Sequence, residues 1–155
     1  MISVRETIIG RIGIEGDEVS ITRLYLPNRA VELEHFDRDE TPVVQEAFRQ
    51  LEMYLDGRLR EFSLPLRPEG TPFLKRVWEK LVEVPYGRTA SYKELAIASG
   101  NPKATRAVGM ANARNPIAIF IPCHRIIGTN GTLVGFGGGL ELKSWLLALE
   151  ARNAG

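Results

Sequence analysis

Cysteine is almost missing from this chain: of its 155 residues, only Cys123 is one. A lone thiol forms no internal disulfide. With two scattered histidines, His35 and His124, it gives no metal-ligand spacing, so no metal and no cofactor are expected. The absence of a disulfide framework suits a reducing compartment, the cytoplasm, or the nucleus if the source has one. No apolar run approaches membrane-spanning length, and the opening Met1-Ile2-Ser3-Val4-Arg5-Glu6 has no signal-like apolar region. No membrane partner is expected. Acidic residues are absent from Leu95 to Leu140, a stretch that holds Lys103, Arg106, Arg114 and Arg125. A polyanion meets little repulsion there, although four cations also fit an ordinary basic surface.

What is present is the composition of a globule with a full core: 44% of residues are apolar and the net charge is +1. That near-neutrality hides an asymmetry. Residues 1–68 hold 9 Lys/Arg and 13 Asp/Glu, a net −4; residues 69–155 hold 11 and 6, a net +5. The chain is long enough for one domain, or one with a smaller partner. No internal repeat or low-complexity tract is visible.

In the first half, Thr7 to Ile14 and Val19 to Leu26 are rich in β-branched residues and flank Glu15-Gly16-Asp17-Glu18, which predicts a β-hairpin. An acidic stretch from Glu32 to Glu40 follows and includes His35, expected to be solvated. Thr41-Pro42 is a helix-start signal, Val44 to Leu55 repeats at helical spacing, and Asp56-Gly57 ends it. Ser63 to Gly70 reads as a linker.

The second half is mostly helical. Thr71-Pro72 opens a helix with Phe73, Leu74, Val77, Trp78, Leu81 and Val82 on one face, and Pro85 stops it. Ser91-Tyr92-Lys93-Glu94 is a capping box. Its helix ends at Gly100, and Asn101-Pro102 starts another that runs toward Ala113. The tight turn between them gives a helix-turn-helix pattern. The second helix is expected to carry Lys103, Arg106 and Asn112 among small residues. Gly128 to Thr132 has a tight-turn signature, read as a small wing, and Gly135-Phe136-Gly137-Gly138-Gly139 leaves room for a ligand. A last helix is expected from about Leu140 to Glu150, with Leu142, Trp145, Leu146 and Leu149 as its apolar set. The architecture is therefore α+β. A small N-terminal sheet-plus-helix domain, 1–68, is joined to a C-terminal helical domain, 69–155, of helix-turn-helix, winged-helix-like type.

The reactive centre is the run Ile121-Pro122-Cys123-His124-Arg125, entered through the apolar Pro116 to Ile121. An isolated cysteine is most often a small buried hydrophobe. Here Pro122 fixes the backbone, His124 and Arg125 are cations or donors that favour a thiolate, and a strand-like run is expected to carry the thiol to the edge of the core. Neighbours on an extended chain point oppositely, so contact between Cys123 and His124 needs a turn or a water relay. Glu150 sits at a helix C-terminus, a mildly unfavourable place for an acid and a hint of another role.

These motifs resemble the O6-alkylguanine-DNA alkyltransferases. The match runs through Ser91-Tyr92, Arg106-Ala107-Val108-Gly109, Asn115-Pro116-Ile117, the Cys123 run, Gly138-Gly139-Leu140, Lys143, Leu146-Leu147 and Glu150, in order and at the right spacing. The resemblance implies a ribonuclease-H-like N-terminal support domain. It also implies irreversible, single-turnover transfer of an alkyl group from O6 of guanine, and O4 of thymine, to Cys123, with base flipping. On that resemblance His124 is expected to deprotonate the thiol through water, with Glu150 orienting His124 and Asn115 acting as a hinge. Tyr92 is expected to crowd the 3′ phosphate and Arg106 to fill the space left by the flipped base. Lys103, Thr105, Ala107, Gly109, Arg114 and Arg125 are expected to contact duplex DNA. The resemblance implies an alkylguanine pocket formed by Tyr92, Pro122, Phe136, Gly137 and Gly138. Phe136 and Gly137 depart from the tyrosine and the serine or other side chain common in the family. The implied partner is double-stranded DNA containing O6-alkylguanine, bound by a monomer.

Three other readings fit parts of the pattern. A non-catalytic alkyl-lesion sensor lacks the reactive cysteine. A winged-helix DNA-binding protein leaves Cys123 and His124 without a job. A cysteine hydrolase turns over repeatedly and needs a base and an oxyanion site.

Overall fold

The computed structural model of the chain describes residues 2–30 and 40–154. His35 and the acidic run from Glu32 to Asp39 lie outside the described residues. The chain divides into two compact units, Met1–Glu69 with Pro116–Ala118, and Gly70–Asn115 with Ile119–Gly155. The fold is α+β.

In the first unit, β1 (Ile2–Thr7), β2 (Gly10–Gly16) and β3 (Ile21–Tyr25) form an antiparallel meander. The expected hairpin is its second half; β1 was not foreseen, because Ile2 to Thr7 alternates only weakly in polarity. Ile12, Ile14 and Ile21 point inward and are fully buried. After a short α1 (Pro27–Ala30), α2 (Pro42–Leu55) packs against β2 and β3. It brings Val44, Ala47, Phe48 and Leu51 to the core. Each large side chain buried this way stabilises the unit by roughly 1.5–3 kcal/mol. Thr41 begins α2 without capping it: its hydroxyl donates instead to the Asp17 carbonyl at 3.1 Å.

The stretch from Ser63, expected to be a linker, is tied to the outer edge of β3. Ile21 N donates to Pro65 O at 2.8 Å, and Arg67 N donates to Ile21 O at 2.8 Å. The same edge takes Pro116–Ala118, where Leu24 N donates to Pro116 O at 2.9 Å. An open strand edge is left with unpaired backbone groups, and these two segments meet that need.

In the second unit, α3 (Pro72–Val82) is capped by Thr71, which accepts from Leu74 N. Trp78 on its inner face donates from Nε1 to Ala111 O at 2.9 Å. The helix-turn-helix follows as α4 (Tyr92–Ala98) and α5 (Thr105–Ala113). The Ser91–Glu94 capping box forms as expected, and Gly100 adopts φ 90° just past α4, a conformation that glycine takes at little cost. The second helix starts later than Asn101-Pro102 predicts. Lys103 lies in the preceding turn, whose Asn101 side chain accepts from Lys103 N at 3.2 Å.

No strand hairpin forms the expected wing. Gly128 to Thr132 closes a turn, with Gly128 N donating to Thr132 O at 2.9 Å. The strands present are a two-residue parallel pair, β4 (Ala90–Ser91) with β5 (Ile126–Ile127). The last helix, α6 (Leu140–Ala154), runs a turn beyond Glu150. No helix among the described residues is long and apolar enough to cross a membrane.

Candidate active site

The segment into Cys123 is not a strand. Ile119 is held at φ 74° although it is β-branched and 1% exposed. That conformation costs about 1–2 kcal/mol, and the buried side chain offsets it. The chain then closes a 3-10 turn over Cys123–Arg125, with Arg125 N donating to Pro122 O at 3.1 Å. The turn replaces the alternation expected of an extended run and sends both Cys123 and His124 inward. They are 6% and 0% exposed, so the thiol sits inside the core rather than at its edge. Asn115 bridges to this segment, its Nδ2 donating to Ile121 O at 2.7 Å.

The β4–β5 pair places the second element of the site. Because Ser91 pairs with Ile127, the start of α4, and Tyr92 with it, is held beside the strand that leaves the Cys123 turn. The Tyr92 hydroxyl donates to Val134 O across a long 3.5 Å. Burial raises its pKa, while the neighbouring Asn112 amide works the other way.

The inner face of α6 supplies the charges. Glu150 is 1% exposed, not the solvated helix-end glutamate that is the default. Its Oε2 lies 2.7 Å from His124 Nε2, and Gly87 N donates to its Oε1 at 3.2 Å. Burial pushes His124 below its ordinary pKa despite the Glu150 partner. The ring is therefore neutral near pH 7. The carboxylate assigns its proton to Nε2, leaving Nδ1 as the basic nitrogen.

Arg125 was expected to contact DNA. It is instead 6% exposed. Its Nε and Nη2 donate to Glu150 at 2.9 and 3.0 Å, and Nη1 donates to Val84 O at 2.7 Å. A planar fork paired with a carboxylate in this way is a structural clamp.

Two turns before Glu150, on the same face of α6, stands Lys143, fully buried. Its Nζ donates to Ile126 O at 2.5 Å, Val134 O at 2.8 Å and Gly135 O at 3.4 Å. It thereby fastens the glycine-rich loop to the strand that follows Cys123. Sequence reading gave Lys143 no role. The available signal was a lysine on an apolar helix face, seven residues from a glutamate.

Burial pushes the Cys123 thiol up to about 11, and Asn115 and Lys143 oppose the rise. The groups that favour a thiolate are therefore these two rather than the expected His124 and Arg125. At rest the thiol is neutral and needs a base.

On the outer side of the helix-turn-helix, Lys103, Thr105, Arg106, Ala107 and Arg114 are exposed. Met110, one turn after Arg106, is also exposed, an apolar side chain that sequence reading did not single out. Gly109 lies against Tyr92: a Cβ there would come within 3.6 Å of the ring. Phe136 and Gly138 are half-buried in the loop and Pro122 is buried. Among the described residues no group of His, Cys, Asp or Glu is arranged to hold a metal ion.

Comparison with known proteins decides what this arrangement belongs to. Residues 72–152 match the family model of the 6-O-methylguanine DNA methyltransferase DNA-binding domain, and residues 2–68 match that of its ribonuclease-like domain. The chain belongs to the 6-O-methylguanine DNA methyltransferase family. It is 48% identical to the methylated-DNA–protein-cysteine methyltransferase of Methanosarcina barkeri over 96% of this chain and 95% of that one. It is 44% identical to the constitutive enzyme of Bacillus subtilis over 94% and 92%. Its fold is similar to that of Mycobacterium tuberculosis OGT solved in complex with DNA, with a TM-score of 0.87, 40% identity, and coverage of 98% of this chain and 93% of that one. As a methyltransferase of this family, the chain binds DNA and repairs it by alkyl transfer to a cysteine, and Cys123 is its single cysteine. The 72–152 match contains the whole site from Tyr92 to Glu150.

Proposed function

We propose that the protein removes alkyl groups from O6 of guanine, and from O4 of thymine, in double-stranded DNA by base flipping, and that each molecule acts once. The observation that carries this reading is the single cysteine on a buried turn, followed by a histidine held by a buried carboxylate. The target oxygen lies inside a stacked duplex, so the nucleotide must be extruded before chemistry. The exposed α5 suits that work. Ala107 and Gly109 allow close approach to a minor groove, Arg106 enters the stack in place of the base, and Met110 adds an apolar contact beside it. Lys103, Thr105 and Arg114 contact the backbone, and Tyr92 crowds the 3′ phosphate.

The extruded base enters the pocket of Tyr92, Pro122, Phe136, Gly137 and Gly138. His124 Nδ1 takes the thiol proton through a bridging water, with Glu150 fixing the ring and Asn115 holding the turn. The thiolate sulfur forms a bond to the alkyl carbon, the bond from that carbon to O6 breaks, and the electron pair leaves with guanine. Tyr92 supplies a proton at N3. The product is a thioether that water does not cleave. With one cysteine there is no thiol to resolve it. The base-extruding residues, the pocket and the thiol all lie in one unit of one chain, so a monomer suffices, and the reduced thiol suits the cytoplasm.

Intact mass after mixing with duplex DNA carrying O6-methylguanine tests this. The expected result is a single gain of about 14 Da on Cys123, with one lesion repaired per protein. Repeated turnover points to a hydrolase, and binding without transfer points to a lesion sensor; either result overturns the reading.

A further inference from the structure

Asn112, on the inner side of α5, is 5% exposed. Its Nδ2 faces Cys123 O at 3.4 Å. That contact fixes which amide atom is which, because the opposite assignment sets two carbonyl oxygens against each other. Oδ1 therefore points away from the Cys123 carbonyl. It is buried and meets no donor among the described residues. The Tyr92 hydroxyl lies near enough to feel both the Asn112 amide and the Cys123 thiol. Tyr92, Asn112 and Cys123 therefore converge on one place. A buried acceptor left without a donor is costly to fold around, and Asn112 lies against the turn that carries the reacting thiol, which points to a ligand.

The chemistry of the lesion identifies the donor. Alkylation of O6 removes the proton from N1, so N1, N3, N7 and O6 of the base offer only lone pairs. The exocyclic 2-amino group is the one donor left on the base edge. O4-alkylthymine has no donor on its base edge. We propose that Asn112 Oδ1 accepts a hydrogen bond from the 2-amino group of the extruded O6-alkylguanine, so that Asn112 reads guanine at the site of transfer. This rests on the base-flipping reading above.

Single-turnover transfer to Cys123 is measured with duplexes carrying O6-methylguanine or O6-methylhypoxanthine, which lacks the 2-amino group. The protein is compared with its Asn112→Leu variant, close in shape but without the acceptor. The unaltered protein is expected to be about tenfold or more slower on the hypoxanthine lesion. Asn112→Leu also removes the Nδ2 contact to Cys123 O, a loss common to both lesions, so the readout is the ratio: the guanine lesion is expected to slow about tenfold more than the hypoxanthine lesion, bringing the ratio near one. Asn112→Ser, polar but too short to reach, gives the same collapse and serves if the leucine variant does not fold. An unchanged ratio in the variant, or equal slowing of both lesions as expected if Asn112 only positions Tyr92, overturns the proposal. Failure of the unaltered protein to gain mass from O6-methylguanine duplex overturns the underlying reading instead, so the two failures are distinct.

Discussion

Glu150 Oε2 and His124 Nε2 lie 2.7 Å apart with side-chain exposures of 1% and 0%. The same carboxylate accepts two hydrogen bonds from Arg125. One acid therefore does two separable things: it balances a buried guanidinium and it sets the tautomer of His124.

Glu150→Gln leaves Arg125 buried without a counter-charge. We expect a loss of about 3–5 kcal/mol in urea unfolding. The double variant Glu150→Gln with Arg125→Met removes the orphan charge and should recover most of that stability. Its transfer rate should stay low, because His124 has still lost its carboxylate. Recovery of rate together with stability would show that Glu150 matters only to the fold.

The Cys123 thiol gives a pH signature in stability. Its pKa rises from the ordinary 9.0 to about 11, burial being the main cause. The folded chain thus holds the thiol proton more tightly than the unfolded chain. The resulting stabilisation is whole below about pH 9 and is lost as pH climbs through about 11; it amounts to about 2–3 kcal/mol. Cys123→Ala removes this contribution. The stability difference between the unaltered protein and Cys123→Ala should shrink by about that amount between pH 8 and 11. A flat difference over that range contradicts a thiol held neutral by burial.

Much of the scaffold was legible because its signals are local. Thr71, the Ser91–Glu94 box and Pro42 each act within one helical turn, and the helices begin where those residues say. Thr41 shows the limit, since its hydroxyl found the Asp17 carbonyl, a partner distant in sequence. The Cys123 turn could not be read locally. It depends on Ile119 in a conformation its side chain disfavours and on Asn115 bridging to Ile121. Lys143, Glu150 and Arg125 broke a sound general rule, that charges face solvent, because each found buried partners on other elements. Family resemblance singled out Glu150, whereas the roles of Arg125 and Lys143 required the three-dimensional contacts.

Arg106 is exposed on α5 and contributes nothing to the buried network. Its proposed work is on the duplex, so its removal should be felt only where a base must be extruded. Arg106→Ala is expected to slow transfer from duplex O6-methylguanine by about 30–100-fold, in line with a few kcal/mol for unstacking and unpairing. Transfer from the same lesion in single-stranded DNA should change by less than about threefold. Equal losses on the two substrates place Arg106 in general phosphate binding instead. A reduced salt dependence of binding would accompany that outcome.

On the proposed function, the glycine-rich loop is expected to set how large an alkyl group is accepted. Lys143 ties down Val134 and Gly135, but a Cβ built on Gly137 meets nothing within 4 Å. Gly137 has no side chain and Phe136 no hydroxyl, so this part of the loop carries little bulk and no hydroxyl. Free O6-benzylguanine should therefore label Cys123, seen as a gain of about 90 Da by intact mass. Gly137→Trp fills the open side and should suppress benzyl labelling while sparing methyl transfer from DNA to within about threefold. The variant's stability should hardly change, because Gly137 is exposed and a Cβ built there meets nothing within 4 Å. If benzylguanine fails on the unaltered protein while O6-methylguanine DNA still methylates Cys123, the loop closes more tightly around the base than its glycines imply.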